Sequence, residues 1–165
     1  MRFAAHYDYS AKPDAVAALL ADRDFLAAAA ARAGAPASRV EVSPGPDGGF
    51  TVTVRASLET ASLPASMRAL APQGLELRQA LVWTRAGEDG SRQATMAGEV
   101  AGSGVQLSGL ALLRPTAAGT RLQFAGEVKA QVPLLGRMIE NAAVPAIIGF
   151  SDAQHQVIED WLAAT

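Results

Sequence analysis

The stretch Glu127-Val128-Lys129-Ala130-Gln131-Val132-Pro133-Leu134-Leu135-Gly136 decides the fold, because the spacing of apolar residues changes inside it. Upstream, Leu122, Phe124, Gly126, Val128, Ala130 and Val132 recur at every second position, as on a strand with one buried face. Downstream the spacing is helical and predicts a helix over 133–164. Pro133 suits a first helical position, where its missing N–H costs nothing. Leu135, Met138, Ile139, Ala142, Ala146, Gly149, Phe150, Ala153 and Val157 fall near one line of the helical wheel, and Pro145 should kink the helix across that line.

Working back from this junction, the period of two persists. Val105 to Arg114 and Ala94 to Val100 read as strands joined by Ala101-Gly102-Ser103-Gly104. Gly87 to Ser91 is a polar turn, and Leu75, Leu77, Leu81 and Trp83 mark another strand, with Gln79 the one polar residue in their phase. Phe50, Val52, Val54, Ala56 and Leu58 alternate with Thr51, Thr53, Arg55 and Ser57. The dense turn Pro44-Gly45-Pro46-Asp47-Gly48-Gly49 separates them from a short strand at Arg39 to Ser43. Short turns at regular spacing argue for an antiparallel meander.

The first segment also alternates, with Phe3, Ala5, Tyr7 and Tyr9 on one face and Arg2, Ala4, His6 and Asp8 on the other. Two short helices follow. Pro13 and Asp14 suit the start of the first, whose stripe is Val16, Leu19 and Leu20. Asp22 caps the second, which runs through Phe25, Leu26 and an alanine run to Gly34 and Pro36. No linker divides the chain, so residues 1–165 form a single domain.

Composition excludes several function classes. The chain of 165 residues carries 14 basic and 16 acidic groups, a net charge of −2 that offers no footprint for nucleic acid. It has no cysteine and only two histidines, which leaves no thiol nucleophile and no thiolate or three-histidine metal site. Hence neither a metal nor another cofactor is expected. No apolar run approaches a membrane span or the core of a signal peptide, so no integral membrane association and a cytoplasmic location are the expectations.

Tyr9-Ser10-Ala11-Lys12-Pro13-Asp14-Ala15-Val16 resembles the strand-to-helix opening of the START-like superfamily, also called SRPBCC, helix-grip or pollen-allergen-like. Leu20-Ala21-Asp22-Arg23-Asp24-Phe25-Leu26 and the stretch quoted first add to the likeness. Over nearly the whole chain the sequence is similar to the bacterial family known as domain of unknown function 2505. The resemblance implies an α+β helix-grip fold. Its antiparallel curved sheet of six or seven strands would wrap a long C-terminal helix, with two short helices after strand 1. It also implies a cavity between sheet and helix that often holds an apolar ligand. It does not choose a reaction.

The leading expectation is therefore a non-enzymatic binder of an apolar, lipid-like small molecule, with Tyr7, Gln79, Trp83, Met96, Leu107, Phe124, Met138, Ala142 and Gly149 lining its site. Small residues in the middle of the last helix (Ala142, Ala146, Gly149) leave either a void or room for close packing. Gln79 either orients a ligand or marks a bulge where the strand changes phase. Two other readings stay open: a cyclase- or dehydratase-like enzyme using Tyr7, Tyr9 or Gln79, and an interaction module using Val144 to Ile148. Homodimerisation is compatible with either. His6 and His155 both fall toward solvent, and no catalytic residue is assigned. Glu59, Glu76, Glu99 and Glu127 form no carboxylate pair and suit exposed faces, and Gly102-Ser103-Gly104 lacks the lysine of a phosphate loop. The long connection over residues 59–74 offers Met67 and Leu70 for a short helix at the mouth of a cavity.

Overall fold

A computed structural model describes the backbone of residues 1–165 and every side chain except those of Ser62 and Ser66. Strand β1 (Arg2–Tyr9) leads into α1 (Pro13–Leu20) and α2 (Arg23–Arg32). Strands β2 (Arg39–Pro44) and β3 (Phe50–Leu58) follow. The connection after β3 holds a 3₁₀ turn at Thr60–Ser62 and the short helix α3 (Ala65–Arg68). Strands β4 (Leu75–Trp83), β5 (Arg92–Val100), β6 (Val105–Thr116) and β7 (Gly119–Ala130) precede the long helix α4 (Gly136–Ala163). One seven-stranded sheet has the order β1-β7-β6-β5-β4-β3-β2, antiparallel at every pairing.

Local chemistry sets these boundaries. Pro13 occupies the first turn of α1, and Asp22 Oδ1 accepts from the Asp24 and Phe25 amides at 2.8 and 3.0 Å to start α2. After α2, Gly34 takes a φ of 90° while the Ala35 amide returns to the Ala30 carbonyl. The last helix begins at Gly136, later than the spacing predicts, and Pro133 lies in the turn before it. Leu134 adopts a φ of 66° and reverses the chain there, which helical propensity cannot anticipate.

The inner face of the sheet carries the core. One cross-strand row runs Phe50, Trp83, Ala94, Ala111, Phe124, and all five side chains are buried. Gly109 and Gly126 face each other across β6 and β7. A Cβ on Gly126 would strike the Ser108 carbonyl and stand 2.7 Å from the Phe3 ring, and one on Gly109 would stand 2.9 Å from Met96 Cε. Bare backbone here is what lets Phe3 and Met96 lie over the sheet.

Helix α4 packs chiefly on α2, β7, β1 and α3. Its packed side runs through Ile139, Ala143, Val144, Ile147, Ile148, Val157 and Ile158, and Trp161 meets Phe25 edge-on at 5.5 Å. This side is rotated by roughly a third of a turn from the line drawn from spacing. Met138, Ala146 and Gly149 are exposed and Ala142 is half-buried. The middle of the helix, residues 142–150, is apolar all round and rich in alanine, so its periodicity is faint, and the branched residues take the core because they bury more area. Val144, Ile147 and Ile148 thus belong to the core contact of α4.

Candidate functional site

Strand β4 positions the inner face where the protein is least closed. Leu75, Leu77, Gln79, Leu81 and Trp83 share one face of it, but only Trp83 is buried; the other four stay half-exposed. The pairing of β3 with β4 runs unbroken from Phe50 opposite Trp83 to Leu58 opposite Leu75, so there is no bulge. Gln79 therefore keeps the inward phase, between Val54 and Gly98, and the same row continues to Leu107. Val54 and Leu107 are half-buried as well. The inner face is sealed along the Trp83 row and partly open along the Gln79 row.

Helix α3 lies against α4, and Met67 packs on the rim of the core. The connection that carries α3 is tied down by the Thr60 hydroxyl donating to the Ala71 carbonyl at 2.8 Å and by Arg68 Nε donating to the Leu63 carbonyl at 3.0 Å. Leu63 and Ala71 are buried, whereas Leu70 is 43% exposed. The short helix expected in this connection is present at Ala65–Arg68.

At the opposite edge a polar cluster joins β1 to α4. The Tyr7 hydroxyl donates to Asp152 Oδ1 at 2.7 Å, and the Tyr7 and His155 rings stack at 4.8 Å. Tyr9 lies 5.3 Å from His155 on a tilted ring. This corrects the solvent position expected for His155: it is half-buried, and its Nδ1 has no hydrogen-bond partner among the described residues. Its aromatic partners lie on the far end of the sequence, which helical spacing does not reveal. His6 is exposed, as its phase indicates.

Burial pushes the Tyr7 phenol up, and the Asp152 carboxylate raises it further. Burial also raises the Tyr9 phenol, with the Glu159 charge next, and its hydroxyl is unpaired among the described residues. Phenols held this way keep their protons. They can donate hydrogen bonds, but they are poor bases and poor nucleophiles, since activation requires a lowered pKa. Spacing alone singled out Tyr7 and Tyr9; Asp152 and His155, which complete the cluster, share a face of α4 three residues apart, a weak signal in isolation.

Of the other side chains expected at a site, Trp83, Met96 and Phe124 are buried in the sealed part of the inner face. Gln79 and Leu107 share the half-open row. Met138 and Gly149 stand on the exposed side of α4, where a Cβ on Gly149 would meet nothing within 4 Å. The fold thus gathers Tyr7, Gln79, Trp83, Met96, Leu107 and Phe124 on one sheet face and sets Met138 and Gly149 outward. Among the described residues no three His, Asp or Glu side chains gather as metal ligands, and no helix is long and apolar enough to cross a membrane.

Solved structures share this architecture at low identity, a likeness that establishes the fold. TTHA0849 from Thermus thermophilus is 13% identical with a TM-score of 0.62, over 100% of this chain and 99% of that one. A STAR-related lipid transfer protein fragment from Xanthomonas axonopodis is 16% identical with a TM-score of 0.57, over 96% and 85% of the two chains. A START superfamily protein from Mycobacterium smegmatis is 13% identical with a TM-score of 0.54, over 97% and 98%. The chain has the START-like helix-grip fold expected from its sequence. No curated protein matches it by sequence. The family model described as protein of unknown function (DUF2505) matches residues 4–162.

Proposed function

The chain belongs to the DUF2505 family, and from that premise we propose that it binds a small apolar, lipid-like molecule between the inner face of the sheet and α4. The observation that carries this reading is β4, whose inward Leu75, Leu77, Gln79 and Leu81 remain half-exposed although they share a face with buried Trp83. Apolar area that the fold leaves accessible on its inner side gains when a ligand covers it, at about 25 cal/mol per Å².

In this reading Leu107, Leu77 and Leu81 contact the ligand, and the Gln79 amide hydrogen-bonds its one polar group. Trp83, Met96 and Phe124 close the inner end. Tyr7 bounds the far edge and Ala142 flanks the space from α4, while Met138 and Gly149, on the exposed side of that helix, are left out of the site. A few polar groups in an apolar pocket fix orientation while apolar burial supplies affinity. The description of the Xanthomonas neighbour as a lipid transfer protein supports the lipid-like class.

The test is titration with N-phenyl-1-naphthylamine, an uncharged apolar fluorophore, alongside native mass spectrometry of freshly purified protein. Saturable one-to-one binding is expected, at least tenfold weaker in Leu107→Trp with the melting temperature preserved. Absence of saturable binding, or identical binding by Leu107→Trp, would overturn the reading.

A further inference from the structure

The outer face of the sheet holds a second feature, which backs onto the Val54–Gln79–Gly98–Leu107 row from the other side. A trough of about 820 Å³ crosses the outward side of the strands, its floor formed at Gly98, Ala80 and Ala97. Arg39, Arg55 and Arg78 stand in register on β2, β3 and β4 at one end of it, with Glu41 and Glu99 beside them. Adjacent strands are about 4.8 Å apart, so three guanidinium groups share one short row. Like charges directly opposite across strands destabilise a sheet.

Each flanking arginine already has a carboxylate partner. Arg39 Nε pairs with Glu41 at 3.0 Å, and Arg78 pairs with Glu76 at 2.8 Å and Glu99 at 3.7 Å. Arg55, between them, has no ion pair among the described residues. Its neighbouring acids are already engaged.

We propose that this trough is a binding site for a phosphoryl group, with Arg55 as its principal contact and Arg39 and Arg78 as flanking donors. A carboxylate is filled by one guanidinium fork, whereas a phosphate dianion presents oxygens in several directions and can accept from arginines on adjacent strands. Gln106 and Ser108, further along the trough, offer uncharged hydrogen-bonding groups to the body of a phosphate ester. The inference does not depend on the inner groove.

The experiment is a titration with inorganic phosphate followed by the arginine Nε–H signals in ¹⁵N NMR. The variants are Arg55→Gln and Arg121→Gln, the latter on the outer face but outside the trough. A saturable shift of the Arg55 signal is expected, with affinity at least tenfold lower in Arg55→Gln and within twofold of the parent in Arg121→Gln. Vesicles of phosphatidylcholine, with and without phosphatidic acid, form a second arm. A response to free phosphate identifies a soluble ester, and a response only to phosphatidic acid identifies a lipid headgroup; either supports the site. No saturable shift with either probe, or equal losses in the two variants, would overturn it. Naphthylamine binding should be unchanged in Arg55→Gln, which keeps this outcome separate from that of the inner groove.

Discussion

The Tyr7 hydroxyl and the Asp152 carboxylate, 145 residues apart in sequence, meet at 2.7 Å and tie the edge strand β1 to the second half of α4. Edge strands have partners on one side only, so such a tie matters more here than in the sheet centre. Tyr7→Phe removes the donor and leaves the ring stacked on His155. A loss of about 1 kcal/mol is expected, the ordinary net worth of one hydrogen bond, measured by urea unfolding.

The same two phenols set the alkaline limb of stability. Both Tyr7 and Tyr9 are raised in the folded protein above the value near 10 expected in the unfolded chain. Their contribution is complete below about pH 10 and is lost as pH climbs through the folded values, because the unfolded chain releases its protons first. The double variant Tyr7→Phe, Tyr9→Phe should therefore show a flatter decline of melting temperature above pH 10, with phenolate absorbance as the independent readout.

Gly126 is required by contact. Its Cβ position is occupied by the Ser108 carbonyl and the Phe3 ring. Gly126→Ala should cost about 1–3 kcal/mol through displacement of Phe3 and the strand, read as a fall in the denaturation midpoint at constant slope.

Gly149 is the opposite case. It lies within α4 with open space around its Cβ position. Gly149→Ala should gain roughly 0.5–1 kcal/mol from helix propensity alone, visible as a higher melting temperature.

The strands were legible wherever one face met the core and the other met water. Phe50 to Leu58 has that contrast at nearly every position, and its boundaries agree with the reading from spacing. The phase of Gln79 could not be decided without its pairing partners, since one polar residue among leucines fits both an inward amide and a bulge. Helix α4 shows a different limit. Alanine adds little to an amphipathic signal, so the packed side of that helix was set by contacts with β1, β7 and α2. The start of α4 escaped because Leu134 adopts a backbone conformation its side chain does not favour. His155 escaped because its neighbours come from β1. The Arg39–Arg55–Arg78 row was equally hidden, for it exists only once three strands are in register.

Strand β4 joins two regimes of selection in nine residues. Trp83 anchors it in the sealed core, where truncation of a large side chain costs about 3–5 kcal/mol and variants are purged for stability alone. Leu77, Gln79 and Leu81 pack less completely, so exchanges there disturb folding less. Under the proposed binding function, exchanges at those three positions would retune what the inner face accepts, while the ladder that holds them stays intact.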